Sequence, residues 1–224
     1  MFIALEGIGG SGKGTLMVRL CELMQTRGIA HVRTREPGGT PIAERLRELI
    51  RSGVTTDGER HFATPWATAL LLNTSRAQHV EELIIPSIRQ DKVVLCDRFC
   101  DSTFVYQSAF MGLELDKLKT LHDLVIGVYP DMTFLLDCPA EIANNRVTPQ
   151  EKNDDQFDRA SLDKQEGMRQ AYLELAKEHP ERYCVVDASG TPESVWEQVE
   201  KYFLQYLLPL IKHEEYIYAS QWAE

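Results

Sequence analysis

The run Gly7-Ile8-Gly9-Gly10-Ser11-Gly12-Lys13-Gly14-Thr15 has the residue types and spacing to grip a polyphosphate. Glycines let successive backbone N–H groups converge on anionic oxygens with no side chain in the way. The apolar residues Phe2-Ile3-Ala4-Leu5 before the run read as a strand, and the stretch after it as an amphipathic helix. The helix adds its unbonded N–H groups and the positive end of its dipole. Lys13 then reaches the outer phosphates as a point charge. Gly14 follows the lysine where a hydroxyl residue is usual, so the hydroxyl for a magnesium ion moves to Thr15.

Ligands of an open parallel sheet sit at the carboxyl ends of its strands, so the residues after each apolar run complete the candidate site. After residues 30–34 come Arg35, Glu36, Pro37 and the pair Gly38-Gly39. The run 93–97 ends at Asp97-Arg98, a carboxylate placed to hold Mg²⁺ and a planar fork for a phosphate. A helix opening at Thr64-Pro65 carries Arg76 on a polar face with Asn73, Thr74, Ser75, Gln78 and His79. This set suits in-line phosphoryl transfer, in which the protein supplies position and charge. Motor or switch hydrolysis fits less well: no N-K-x-D guanine signature occurs, and Arg98, not a water-activating Glu, follows Asp97. The polar segment 147–158 reads as a lid that would exclude water from the reaction.

The elements that must position these residues are legible as alternating patterns. Strand-like runs over residues 2–5, 30–34, 93–97, 132–137 and 183–187 alternate with helical stretches over 13–27, 41–51, 64–89, 116–125, 139–146, 158–179 and 192–208. Alternation of this kind predicts right-handed crossovers and an α/β fold of three layers, a central five-stranded parallel sheet flanked by helices, with a short lid. Gly28 stops the first helix, Thr40-Pro41 starts the second, Pro86 kinks the long third, and Pro209 stops the last. Residues 1–211 read as one domain and 212–224 as a tail whose Tyr216, Tyr218 and Trp222 would pack on the body or on another subunit.

Composition narrows the class. At 224 residues, 43% hydrophobic and 26% charged, the chain has the make-up of an ordinary globule with a substantial core. A net charge of −10 argues against a general nucleic-acid binder, whereas a small nucleotide needs only a local basic pocket. The five cysteines form no C-x-x-C pair and read as buried reduced thiols. No apolar run reaches membrane-spanning length and the first strand starts almost at once, so the expected location is the cytoplasm, away from membranes.

These residues together resemble the thymidylate kinases, within the nucleoside monophosphate kinase superfamily of P-loop folds. The likeness runs from Phe2 to about Ile211. It is carried by Thr34-Arg35-Glu36-Pro37-Gly38-Gly39-Thr40 with Ile42-Ala43-Glu44, by Arg76-Ala77-Gln78-His79, and by Asp97-Arg98-Phe99 with Asp101-Ser102-Thr103. Tyr106-Gln107 and Pro130-Asp131 leading to Leu135-Leu136-Asp137 match as well. The resemblance implies transfer of the γ-phosphoryl group of ATP to dTMP, giving dTDP for dTTP biosynthesis, with Mg²⁺ and in a homodimer. It implies that Arg98 binds the acceptor phosphate, that Arg76 contacts the pyrimidine, and that Tyr106 lies against the sugar with Ser102, Thr103 and Gln107 beside it. Glu36, Pro37 and Leu72 would line the acceptor pocket, with Lys13, Asp97, Arg98 and Arg146 as the catalytic set. The departures cluster at the site. Gly9 stands where the family carries a carboxylate, and Phe110-Met111 replace a Gly-Arg pair. Leu72 replaces an aromatic residue that stacks on thymine, a contact of roughly 1 kcal/mol. Gly10 and Gln156 stand where relatives place an arginine, which leaves Arg146, Lys152 and Arg159 as cations for the transferred group, Arg146 first because it opens the lid. Two alternatives follow: a kinase for another deoxynucleoside monophosphate, or a low-activity nucleotide-binding paralogue with a regulatory role.

Overall fold

In the computed structural model, which describes residues 1–148 and 160–212, the strands are β1 (Phe2–Glu6), β2 (His31–Arg35), β3 (Val54–Thr56), β4 (Glu59–His61), β5 (Val93–Asp97), β6 (Met132–Asp137) and β7 (Tyr183–Asp187). Five of them form one parallel sheet in the order β2-β5-β1-β6-β7, as the alternation of strands and helices predicts. β1 lies at its centre and is buried at every position, the pattern of a strand covered on both faces. Its last residue, Glu6, is therefore a carboxylate in the core. β2 is an edge strand with only Thr34 buried, and it starts one place later than the pattern of residues 30–34 suggests. The reason is its neighbour: the Ala30 carbonyl accepts from Val93 N, and paired register begins at His31 opposite Val93.

The helices follow the sequence where one face is apolar. α1 (Lys13–Thr26) buries Leu16, Leu20, Leu23 and Met24, and Gly28 turns the chain away at φ 68°. α2 (Pro41–Ser52) starts where the Thr40 hydroxyl accepts from Ala43 N. α3 (Pro65–His79) runs through a π-helical turn, Val80–Ile84, into the short α4 (Ile85–Ile88). Pro86 causes the change. It has no N–H for the carbonyl of Glu82 and its ring crowds that turn, so the ladder slips to Ile85 N→Val80 O just ahead of it. α5 (Cys100–Val105), extended by a π-helical turn at Tyr106–Phe110, was not predicted. Almost every side chain from Cys100 to Gln107 is buried, and a helix surrounded on all sides shows no 3.6-residue period. The exposed hairpin β3–β4 was also missed, although its Asp57-Gly58 turn, both residues at positive φ, is a hairpin signal.

α6 (Leu115–Val125) and α7 (Ala140–Arg146) lie within one residue of expectation. α8 (Leu162–Glu178) starts later than residue 158, because the Ser161 hydroxyl caps it by accepting from Lys164 N. Pro209 does not stop α9 (Pro192–Tyr202) as expected. A third π-helical turn, Phe203–Leu207, shifts the register to Leu208 N→Phe203 O and lets the chain continue as α10 (Leu208–Lys212) past the proline. Most of the expected lid and nearly all of the expected tail lie outside the described residues. The cysteines are unpaired, with Cys96, Cys100 and Cys138 buried.

One buried ion pair ties the far edge of the sheet to α5. Arg182 donates to both Asp101 oxygens at 2.9 Å, and the carboxylate is fully buried. Removing one partner of such a pair leaves an uncompensated interior charge. Arg182→Met is expected to destabilise the fold by about 3 kcal/mol in urea unfolding; a loss under about 1 kcal/mol would mean that the pair is peripheral to the core.

Candidate active site

The phosphate-binding run spans the turn from β1 to α1, and its glycines are dictated by what lies behind them. Gly7 takes φ 136° with its hydrogen facing Leu136, and a Cβ there would come within 2.7 Å of the Leu136 carbonyl. At Gly10 a Cβ would come within 2.1 Å of the Ala143 carbonyl, so the loop lies directly on the last turns of α7. Lys13 is buried and donates to the carbonyls of Gly7 and Ile8, both at 2.9 Å. Ile8 and Ser11 form the buried floor of the loop.

The loop forms one end of a cavity of ≈ 630 Å³. Gly9, Gly10, Gly12, Lys13, Gly14 and Thr15 line that end, and the same cavity is lined by Asp97, Arg98, Glu36, Pro37, Leu72, Arg76, Ser102, Thr103, Tyr106, Gln107 and Arg146. Residues picked out from five separated stretches of sequence are thus brought to one place. Arg35 and Phe99 line it too, as do Arg47, Ile50 and Arg51, which were not singled out. Arg47 and Arg51 recur four apart on α2, a signal that also describes an ordinary solvated helix face. With these arginines the acidic chain presents a basic interior to an anion.

Away from the loop the cavity is built on a buried charge network. Arg76, only 2% exposed, donates from Nε to Glu36 at 2.6 Å and from Nη2 to the Thr103 hydroxyl at 2.8 Å, and its guanidinium lies over the Phe99 ring. The other Glu36 oxygen pairs with His79 Nδ1 at 3.1 Å, and His79 Nε2 with the Thr34 hydroxyl at 2.7 Å. Burial pushes the Glu36 carboxyl up, but Arg76 and His79 outweigh it and hold it below the usual range. Among the described residues six buried side-chain polar atoms have no hydrogen-bond partner, and Arg76 Nη1 and Gln107 Oε1 are two of them. These two belong to residues that line the cavity. Buried polar atoms are rarely left unpaired, and an unpaired donor and acceptor in one cavity point to a ligand with the opposite pattern.

Asp97 Oδ1 is a third such atom. Asp97 and Thr15 line the cavity with the loop, a carboxylate and a hydroxyl of the kind that hold Mg²⁺ on a substrate phosphate. Among the described residues no group of three or more His, Cys, Asp or Glu side chains forms a self-sufficient metal cluster.

Arg98 sits at φ 70°, a left-handed conformation that is uncommon outside glycine and marks functional sites. Its Nη1 donates to the Gly7 carbonyl at 3.0 Å and the Ser102 hydroxyl at 3.1 Å, and the guanidinium stands over the Tyr106 ring. Among the described residues Nε and Nη2 find no protein acceptor. Behind Arg98 lies Glu6, which falls between the strand and the loop as read from sequence and was not singled out. Arg146 lines the cavity beside the loop, but its guanidinium is engaged by the carbonyls of Ala188, Ser189 and Gly190. The sequence reading gives Arg146 a phosphoryl group as partner, and here three backbone oxygens take its donors. The other two cations considered, Lys152 and Arg159, and the departure at Gln156 lie outside the described residues.

Comparison with known proteins agrees with this geometry. The sequence profile of the thymidylate kinase family matches residues 5–199. The thymidylate kinase of Pelobacter propionicus is 37% identical over 218 residues, covering 95% of this chain and 97% of its own length. That of Desulfovibrio desulfuricans is 41% identical over 202 residues, 87% of this chain and 91% of its own. The crystal structure of thymidylate kinase from Ehrlichia chaffeensis superposes with a TM-score of 0.70 at 33% identity, covering 91% of this chain and 98% of that one. On profile, sequence and fold alike, the chain belongs to the thymidylate kinase family.

Proposed function

We propose that the chain phosphorylates dTMP, with ATP as donor and Mg²⁺ as accompanying cation, and releases dTDP and ADP toward dTTP synthesis. The observation that carries the choice of base is a match of polarity. Thymine presents an acceptor at O4 and an N–H donor beside it at N3, and two residues that line the cavity carry a buried unpaired donor, Arg76 Nη1, and a buried unpaired acceptor, Gln107 Oε1. Cytosine reverses both partners and would leave each atom facing its own kind. Leu72 supports the base by apolar contact in place of an aromatic stack.

The remaining roles follow from charge. The loop amides and Lys13 hold the donor phosphates, and the unpaired edge of Arg98 holds the acceptor phosphate. Ser102, Thr103 and Tyr106 border the sugar. Asp97 and Thr15 would hold Mg²⁺, which supplies charge neutralisation on the transferred group. No covalent intermediate is needed, because alignment and electrostatics suffice for in-line transfer. Arg146 would serve as the cation for the transferred group once released from the carbonyls of Ala188, Ser189 and Gly190.

We assign the protein to the cytoplasm, and no helix among the described residues is long and apolar enough to cross a membrane. We also assign it a homodimer, supported by exposed apolar side chains on α2 and α3: Ile42, Leu49, Trp66 and Leu70. Leu70→Arg is expected to convert the dimer to a monomer in light scattering; a monomeric parent would remove the assignment.

ADP release with ATP, Mg²⁺ and each of dTMP, dUMP, dCMP, dAMP and dGMP tests the function. kcat/KM for dTMP is expected to exceed that for dCMP by roughly 10⁴. A higher rate with another acceptor would make this a kinase for that nucleotide, and ATP binding without turnover on any acceptor would make it a regulatory paralogue. Lys13→Ala is expected to lower kcat by about 10²- to 10³-fold with dTMP; unchanged kcat would remove the loop lysine from the reaction.

A further inference from the structure

We propose that Glu6 carries a proton which keeps Arg98 available to the acceptor phosphate, so that Glu6 is a positioning residue and acceptor binding is coupled to proton uptake. This rests on the reading that Arg98 receives that phosphate.

The geometry is a closed ring of three oxygens beneath Arg98. Glu6 Oε2 lies 2.7 Å from the Ser102 hydroxyl and 2.9 Å from the Tyr172 hydroxyl, and the two hydroxyls are 2.9 Å from each other. All three O···O contacts can be hydrogen bonds at once only when three protons are present. Ser102 and Tyr172 supply one each. The neighbouring N–H groups cannot supply the third to Oε2: those of Phe99 and Ser102 are taken by Oε1, at 2.7 and 3.2 Å. Arg98 Nη1 donates to the Ser102 oxygen at 3.1 Å and more weakly to the Tyr172 oxygen at 3.4 Å, which fits Ser102 passing its own proton on to Glu6. Tyr172 keeps its proton, because burial first and Glu6 second push the phenol well above its ordinary range. A third proton, on Glu6, completes the ring.

The surroundings favour that state. Glu6 is fully buried, and burial, then Asp101, push its carboxyl up to about 7 against the pull of Arg98. The groups facing it are Asp101 and Cys100 from α5, Cys96 from β5, Arg98 beyond β5, Arg76 from α3, Tyr172 from α8 and Tyr183 from β7. Asp101 is already matched by Arg182, and Arg76 by Glu36. An ionised Glu6 would pull on Arg98 through Ser102 and compete with the phosphate. Conversely, a phosphate dianion on Arg98 holds the proton on Glu6 more firmly. Binding above about pH 7 then takes up a proton, and acceptor affinity falls as pH rises.

Glu6→Gln tests this, because the amide keeps a carbonyl for the two backbone N–H groups and a donor for the ring, as the neutral acid does. In pH-difference infrared spectra of the full chain, the wild type is expected to lose a protonated-carboxyl C=O band between about pH 5.5 and about pH 8.5 that Glu6→Gln never shows. Calorimetry with dTMP near pH 8, in buffers of different ionisation enthalpy, is expected to show uptake of about half a proton or more by the wild type and none by the variant. The KM for dTMP is expected to rise about tenfold from pH 6.5 to 8.5 in the wild type and less than about twofold in Glu6→Gln. Absence of proton uptake by the wild type overturns the coupling whether or not the variant folds. The same band or the same uptake in the variant assigns the proton elsewhere. No binding heat with dTMP in either protein overturns the acceptor reading and the coupling with it, and the infrared band alone then decides the proton.

Discussion

A single backbone oxygen joins the two halves of the site. The Gly7 carbonyl accepts from Lys13 on one side and from Arg98 on the other, at 2.9 and 3.0 Å. The lysine belongs to the phosphate-binding loop and the arginine to the turn after β5, so the two cations, far apart in sequence, are held to one atom. That arrangement depends on the sheet. Leu5 lies opposite Asp97 in the β1–β5 ladder, and Arg98 N donates to the Leu5 carbonyl. It depends also on Gly7 itself, whose φ of 136° turns the chain beside a carbonyl that a side chain would strike.

Around this point the interior charges are sorted so that donors on cavity-lining residues remain unpaired. Glu36 is satisfied by Arg76 Nε and His79, which fixes the guanidinium yet leaves Nη1 unpaired. Asp101 is satisfied by Arg182 and does not reach for the site's arginines. Glu6 is satisfied by hydroxyls and backbone N–H groups, and Arg98 keeps an unpaired edge. Burying this many ionisable groups is costly unless each has a partner. The acidic surplus of the chain lies elsewhere, so an anionic nucleotide meets a basic cavity within an acidic protein.

Prolines show how much of the fold was readable and where reading stopped. Pro86 and Pro209 both announce interrupted helices, and both lie just beyond π-helical turns. Whether the chain ends or re-forms after such an interruption depends on what the next turn packs against, which no local pattern encodes. Phe203 and Leu207 are buried in the core, and that contact carries the last helix past Pro209. The helix at Cys100–Val105 was invisible for a related reason, since burial on all sides erases the periodicity by which helices are recognised.

From the sequence alone came the phosphate-binding loop, the parallel sheet, and the rule that the residues after each strand meet at one edge, because these rest on local spacing and on the handedness of crossovers. Arg76, Asp97, Arg98 and Gln107 could be named from it as site residues. Which of their atoms remain unpaired was decided by tertiary structure, through hydrogen bonds to residues as distant as Tyr172 and Thr103. Glu6 is the sharpest case. In the chain it is an acidic residue before a glycine run, and only packing against α5 and α8 takes it out of water beside Asp101, which pushes its carboxyl up.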